Sequence, residues 1–217
     1  MGRPRFVTTV TISLLVAVTT LGLSVWIMTA PWFTRLAVPA QVDSVRAGLS
    51  QERMIELAEE VRVFVTDTDA PPLPTVVDGK LAFNDEAVSH LIDVRDVVLA
   101  GRWATLVAAV LLLAVGLYVV STGRSTELKA GLKWGGLLLV GTVGVSLLAG
   151  LLDFDSFFAA FHGVFFQPGT WTFPADSLLI LVFPSGFWVL AGAITGVVTA
   201  TFGVTLVLIG RSLLVRA

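Results

Sequence analysis

The sequence contains no cysteine, one tyrosine and only two histidines. The absence of cysteine excludes disulfides, thiolate metal sites and a thiol nucleophile. Charge is also scarce: charged residues make up 14% of the chain, whereas they make up about a quarter of a typical soluble domain. Hydrophobic residues account for 55% of the 217 residues, and the mean hydropathy is +0.88. This composition excludes a soluble globular enzyme, a disordered chain and a disulfide-rich secreted module.

Because charge is scarce, the sequence contains four long uncharged runs, of 29, 21, 19 and 34 residues. About 20 apolar residues are enough to cross the hydrocarbon core of a membrane. The first apolar stretch is far longer than the roughly 7–15 residues of a signal-peptide core, which favours an uncleaved span. Pro184 interrupts the last run, so we expect a short separate segment before it, packed at the surface. We therefore predict transmembrane helices near residues 7–30, 103–123, 134–152 and 185–210.

The distribution of charge predicts how these helices are oriented. The two termini and the loop between spans 2 and 3 hold seven basic residues and one acid, Glu127. The other connecting segments hold seven basic and fifteen acidic residues, so the two sides sum to +6 and −8. Basic residues in short loops mark the cytoplasmic side of a membrane protein. We therefore expect a multi-pass protein of the cytoplasmic membrane with both termini in the cytoplasm.

The predicted fold class is an all-α polytopic membrane protein, a four-transmembrane-helix bundle with a small extracytoplasmic α/β cap between spans 1 and 2. In this cap, apolar residues at helical spacing predict an amphipathic helix over 51–65. Asp78-Gly79 predicts the turn of a small hairpin, and Asn84 is suited to cap a helix that runs into the second span. We expect five segments: 1–34 with transmembrane helix 1, 35–102 as the cap, 103–152 with helices 2 and 3 and a cytoplasmic loop, 153–184 as an aromatic outer-leaflet segment, and 185–217 with helix 4 and a cytoplasmic C-terminus.

The segment between spans 3 and 4 is unusually rich in phenylalanine. Residues 153–166 contain six phenylalanines in fourteen positions, which favours a segment that dips into the outer leaflet or packs between helices. Asp155 or Ser156 is expected to cap a short helix there.

Small residues allow membrane helices to approach closely, so close packing is predicted at the glycines of spans 3 and 4, namely Gly135, Gly136, Gly141, Gly144, Gly192, Gly196 and Gly203.

His90 and His162 are the only histidines, and both fall in segments that are predicted to face outward. On a helix, Glu86, His90 and Asp93 share one face. A carboxylate beside an imidazole fixes the tautomer of the ring and raises its basicity. The alternative for each histidine is a structural role at the membrane interface, with its hydrogen bonds satisfied.

Two stretches of the chain carry a family resemblance. Residues 84–97 contain a His-x-x-Asp-Val-Arg pattern from His90 to Arg95, and residues 153–188 contain a Phe-His-x-x-Phe-Phe pattern from Phe161 to Phe166. With the four-span layout, these stretches resemble the bacterial integral membrane family that includes the lipoprotein intramolecular transacylase (Lit). The resemblance implies that the sn-2 acyl chain of a diacylglyceryl-cysteine lipoprotein moves to the α-amine of that cysteine, which gives a lyso-form lipoprotein at the outer leaflet. It also implies that His90 and His162 are catalytic.

The chemistry of this reaction suits the residues. Transfer from an ester to an amine needs no nucleotide, and the α-amine, with a pKa of about 8, must lose a proton before it attacks. Histidine removes protons near pH 7, so we expect His90, oriented by Asp93, and His162 to form an acid–base pair in either order. Arg95 and Trp171 are expected to position the substrate or its oxyanion. No cofactor, metal or nucleic acid is expected; the expected partners are the diacylated lipoprotein substrate and membrane phospholipid.

Two other functions are compatible with the sequence. One is a metal-dependent membrane hydrolase that uses His90, His162, Asp93 and Asp155, since imidazoles and carboxylates can hold zinc. The other is a non-enzymatic tetraspan scaffold or chaperone with the cap as its docking surface. The distance between the two histidine rings separates these readings best, because rings in one cleft favour catalysis.

Overall fold

The structure is a computed structural model that describes the backbone of residues 3–215 and the side chains of residues 5–211. The chain is mostly helical. The elements in order are α1 (Arg3–Met28), α2 (Pro31–Ala37), a 3₁₀ turn (Val38–Ala40), α3 (Ser44–Ala47), α4 (Gln51–Thr66), β1 (Val76–Val77), β2 (Lys80–Leu81), α5 (Asp85–Ser121), α6 (Ser125–Leu152), α7 (Phe154–Phe165), α8 (Leu178–Val182) and α9 (Ser185–Val215). Arg216, counted above among the basic residues of the cytoplasmic side, lies outside the described residues.

Among the described residues, four helices are long and apolar enough to cross a membrane: α1, α5, α6 and α9. They cover the four predicted spans, except that α1 and α5 each end two residues before the predicted span does, and they confirm a multi-pass membrane protein. The second of them begins well before its predicted span, because Asn84 Oδ1 accepts a hydrogen bond from the Ala87 N–H at 3.0 Å and caps a helix that continues to Ser121. The predicted continuation of this helix through His90 is therefore confirmed.

The chain divides into two compact units, and the first comprises the described residues up to 26, 101–151 and from 194 onward. Its core contains Ile12, Val16 and Val119, with leucines of α6 and α9 and apolar residues of α5 packed around them. A Cβ atom at Gly135 would meet Val16, and one at Gly136 would overlap the carbonyl oxygen of Gly203. Close helix packing at these glycines is confirmed.

The glycine prediction is wrong at three other positions. At Gly141, Gly144 and Gly192, a Cβ atom would have no neighbour within 4 Å among the described residues. The reason is that these glycines do not point toward another helix, so the sequence pattern alone overcounts the packing glycines.

Glu127 is buried at the start of α6 in the first unit, where it is paired with two arginines. Its Oε1 lies 3.2 Å from Nε of Arg124 and 3.7 Å from Nε of Arg5. Nη2 of Arg124 also donates to Oγ1 of Thr8 at 2.9 Å. Burying a carboxylate is costly unless it is paired and hydrogen-bonded, so this cluster ties the start of α1 to the start of α6.

The second unit comprises residues 27–100 and 152–193. The predicted amphipathic helix is α4, which begins after the N-cap Ser50 and buries Met54, Leu57, Ala58, Val61 and Phe64. The predicted hairpin is also present: Val76 pairs with Leu81 and Val77 with Lys80. Asp78 and Gly79 at its turn have positive φ angles of 49° and 76°, which Asp-Gly adopts readily.

Two local predictions in this unit are wrong. The N-cap of α7 is Asp153 rather than Asp155 or Ser156, because the Asp153 carboxylate accepts hydrogen bonds from the N–H and hydroxyl of Ser156 at 3.0 and 2.6 Å. The segment before Pro184 forms α8 as a separate short helix, but it is not a surface segment. Its apolar side chains are largely buried, namely Leu178, Leu179, Leu181 and Val182.

The packing at Gly136 generates a stability prediction. We expect Gly136→Ala to lower the thermal midpoint of the purified protein in detergent by an amount equivalent to about 1–3 kcal/mol, since the new Cβ overpacks against the Gly203 carbonyl. Gly141→Ala is the matched control: its Cβ meets open space, and alanine favours the helix by up to about 1 kcal/mol. Equal midpoints for the two variants would contradict the packing described here.

Candidate active site

The two histidines lie in one place within the second unit. His90 is in the first turns of α5 and His162 is in α7, and each is only 7% exposed. Their ring centroids are 6.4 Å apart, and the ring planes are inclined by 30°. The distance between the two histidine rings is therefore short, which favours a catalytic function.

Aromatic rings surround both imidazoles. The ring of Phe166 lies 4.9 Å from that of His90 and 5.7 Å from that of His162, so it contacts both. Phe173 lies 5.6 Å from His90, and Phe158 lies 4.0 Å from His162. These rings exclude water from the faces of the two histidines and provide an apolar site.

His162 is held in one tautomer by its own helix. Its Nδ1 lies 2.9 Å from the carbonyl oxygen of Phe158, one turn earlier in α7. Because a carbonyl only accepts, Nδ1 carries the hydrogen and the neutral ring has its lone pair on Nε2. Burial lowers the pKa of His162 below its ordinary value of 6.5, although the hydrogen bond to Phe158 acts in the opposite direction. The ring is therefore neutral at pH 7 and can accept a proton at Nε2.

Two polar atoms of this cluster have no hydrogen-bond partner among the described residues. They are Nδ1 of His90 and Nε1 of Trp171, whose ring centroid lies 4.8 Å from that of His162. Within the second unit as described, the remaining buried side-chain atom without a partner is Oγ of Ser177. Most buried polar groups in proteins are paired, so the accumulation of unpaired ones beside two imidazoles marks a site that a ligand can complete.

The structure brings three of the five predicted site residues together: His90, His162 and Trp171. Asp93 is exposed on the next turn of α5, near enough to interact electrostatically with His90, but it does not bond Nδ1 of that ring. The Arg95 guanidinium lies over the ring of Phe64, 4.9 Å from its centroid, and so packs on α4.

The residues proposed for a metal site are not gathered into one. Across residues 3–215, no group of three or more histidine, aspartate or glutamate side chains could hold a metal ion together. Asp155 is exposed in the first turn of α7.

The sequence showed six phenylalanines in residues 153–166, the segment that contains His162, but part of the site could not be predicted from it. The helical spacing of Phe158 and His162 was available as a local signal for their contact. The contact between Phe173 and His90 had no such signal, because it joins a loop after α7 to a helix far earlier in the chain.

Beside His162, α7 exposes an apolar stripe. Phe161, Val164 and Phe165 are 52%, 74% and 47% exposed, and their spacing of i, i+3 and i+4 places them on one side of the helix. The Phe161 ring still reaches the histidine, with 5.7 Å between its centroid and that of His162. The helix thus buries His162 and exposes apolar side chains next to it.

Known proteins resemble the chain over nearly all of its length. The structure of the membrane-integral lipoprotein intramolecular transacylase Lit from Bacillus cereus matches it with a TM-score of 0.84 at 15% identity, covering 100% of this chain and 98% of that one. A form of that protein with a histidine-to-arginine mutation matches with a TM-score of 0.79 at 14% identity, covering 99% and 94%. An uncharacterised protein of Aquifex aeolicus is 25% identical over 171 residues, 76% of this chain and 74% of its own.

The structural matches show which fold the chain has, and a match to a sequence-family model shows to which family it belongs. The model of the family described as lipoprotein intramolecular transacylase Lit matches residues 8–188. That range includes both histidines, Trp171 and most of the chain. The chain therefore belongs to the lipoprotein intramolecular transacylase (Lit) family of membrane proteins.

Proposed function

We propose that this chain moves the sn-2 acyl chain of a diacylglyceryl-cysteine lipoprotein to the α-amine of the same cysteine and releases a lyso-form lipoprotein. The observation that carries the proposal is the pair of buried imidazoles, 6.4 Å apart in an aromatic enclosure. Family membership supports a transacylase that acts on lipoproteins. The reaction needs acid–base groups and a dry site, and it takes its nucleophile from the substrate.

The geometry favours a division of labour between the two histidines. His162 is the base, because its Nδ1–H is bound to Phe158 and its Nε2 has the free lone pair. As the amine attacks the ester carbonyl, Nε2 takes a proton from the nitrogen. That proton then passes to His90, which gives it to the glyceryl oxygen as the carbon–oxygen bond breaks. One ester becomes one amide and one alcohol, and both rings end in their starting state.

The aromatic enclosure serves this chemistry by excluding water. Water at the site would hydrolyse the ester and release a fatty acid, which is the main competing reaction. The rings that contact the histidines also present apolar surface to the acyl chain. Asp93 and Arg95 act in support in this proposal: the Asp93 carboxylate stabilises the proton while His90 carries it, and Arg95 helps to position the substrate from α5.

The membrane places the substrate beside this site. We propose that the exposed stripe of α7, Phe161, Val164 and Phe165, lies among the acyl chains of the outer leaflet. His162, buried beside this stripe on the same helix, then lies near the depth of the glyceryl esters. The cap over 35–102 faces outward, both termini are cytoplasmic, and phospholipid contacts the stripe.

The acid–base roles generate the first functional prediction. We expect His90→Ala and His162→Ala each to reduce N-acylation by about 100-fold or more, as removal of a general acid or base does. The measurement is mass spectrometry of lipoprotein N-termini in a host that lacks other N-acylating enzymes. Full activity in both variants would contradict the assignment of the active site to these two histidines.

A matched variant separates this reaction from metal-dependent hydrolysis. Asp155→Ala alters an exposed carboxylate on the same helix as His162, and the transacylase proposal expects it to leave N-acylation at the wild-type level. The metal-site reading, which uses Asp155 as a ligand, expects loss of activity with this variant and inhibition of the wild type by a chelator. A scaffold would tolerate all three substitutions.

The protonation state of His162 predicts a pH dependence. Its neutral form is the active one, and burial lowers its pKa below 6.5, so activity is present above that pKa and is lost as the pH falls through it. The substrate amine also titrates, with a pKa of about 8, so the measurement follows the ring itself: in an NMR titration of the purified protein, we expect the His162 ring to change protonation with a midpoint below pH 6.5. Tryptophan fluorescence over the same range controls for unfolding. A midpoint at or above 6.5 with intact fluorescence would contradict a buried, neutral base.

The orientation can be tested directly because the chain has no cysteine. Thr68 and Thr126 are exposed, the first after α4 and the second in the first turn of α6. We expect a membrane-impermeant maleimide to label Thr68→Cys in intact cells and Thr126→Cys only after lysis. The opposite pattern would show that the proposed orientation is inverted.

A further inference from the structure

The indole N–H of Trp171 is a buried donor without an acceptor. No described residue accepts a hydrogen bond from its Nε1, although the ring lies 4.8 Å from His162 and 6.4 Å from Phe158 between centroids. Indole nitrogen only donates, so this atom needs an acceptor that the protein does not supply. An unpaired buried donor destabilises the folded protein, which makes its position beside a candidate base informative.

A second tryptophan in the same aromatic group shows the contrast. The ring of Trp188 lies 6.0 Å from Phe158, but its Nε1 donates to the carbonyl oxygen of Phe183 at 3.1 Å. The protein therefore supplies an acceptor for the indole N–H of Trp188, which only packs in this group. Among the described residues it supplies none for the indole N–H of Trp171, which lies beside His162.

We infer that the Trp171 N–H donates a hydrogen bond to the carbonyl oxygen of the sn-2 ester and stabilises the oxyanion that forms there. The inference rests on the proposed function, and it assigns the acceptor that Trp171 lacks to the substrate. Among the candidates from the sequence, Trp171 is favoured over Arg95, whose guanidinium packs on Phe64.

The reaction step explains why a donor is needed at this oxygen. The amine nitrogen forms a bond to the carbonyl carbon, and the π electron pair of the C=O bond moves to the oxygen. When the bond to the glyceryl oxygen breaks, that pair restores the C=O bond, and the glyceryl oxygen takes the proton from His90. A preorganised donor in an apolar site acts most strongly on the charged oxygen of the intermediate.

The test replaces the N–H of Trp171 without changing its shape. We expect incorporation of β-(3-benzothienyl)alanine, which has sulfur in place of the indole N–H, to lower the single-turnover rate by about 100-fold, as loss of an oxyanion donor does. KM and the acidic limb of the pH profile stay at wild-type values, because substrate contacts and His162 are retained. The thermal midpoint stays the same or rises, because an unpaired buried donor has been removed.

The same substitution at Trp188 is the matched control. It removes a hydrogen bond that the protein makes, so it lowers the thermal midpoint and leaves most of the rate. A second pair of variants removes the dependence on the unnatural residue: Trp171→His, which keeps a ring N–H, retains more activity than Trp171→Phe, which has none.

The outcomes separate this inference from the function on which it rests. A wild-type rate with the isostere at Trp171 overturns the inference, and the proposed function stands. A parallel loss of thermal midpoint and rate at both tryptophans also overturns it, because Trp171 would then act only through packing. Absence of acyl transfer by the wild type overturns the proposed function itself.

Discussion

The candidate site depends on the desolvation of two imidazole rings that lie close together. The contact between α7 and the first turns of α5 brings His90 and His162 to 6.4 Å between centroids and covers them with aromatic rings. Burial of an imidazole disfavours its charged form, so His162 is neutral when it meets the substrate. The same burial keeps water from the ester and leaves Nδ1 of His90 and Nε1 of Trp171 without hydrogen-bond partners in the described part of the chain.

The local structure of α7 makes this arrangement possible. Asp153 caps the helix through Ser156, and one turn later the carbonyl of Phe158 binds Nδ1 of His162. A carbonyl oxygen has two lone pairs, so this backbone oxygen, one turn before His162, can also accept the imidazole N–H, and no carboxylate is needed to fix the tautomer. The neighbouring stripe of α7, Phe161, Val164 and Phe165, stays apolar and exposed, which suits a helix at a membrane surface.

Much of the fold could be predicted from the sequence because its signals are local. Uncharged runs predicted the four spans, the spacing of Met54 and Val61 predicted α4, and Asp78-Gly79 predicted the hairpin. Errors arose where the outcome depends on neighbours distant in sequence. A glycine that packs, such as Gly136, and one that faces open space, such as Gly141, look the same in the sequence.

Prediction of the candidate site from the sequence was limited in the same way, by contacts between residues distant in the chain. The residue types and their patterns predicted both histidines, but their separation depends on the packing of a helix near residue 90 against one near residue 162. The contact of Phe173 with His90 and the missing partner of Trp171 are likewise properties of the folded chain. Asp93 and Arg95 lie on the correct helix, yet helical spacing could not show that Arg95 packs on Phe64.

The most direct measurement of the central claim is an isotope crossover with purified protein. A synthetic lipopeptide labelled in both its sn-2 chain and its peptide is mixed with an unlabelled one, and the products are weighed by mass spectrometry. We expect N-acyl lyso-lipopeptides that carry either both labels or neither, since each acyl chain moves within its own molecule. Scrambled labels, or free fatty acid in place of the amide, would contradict that claim.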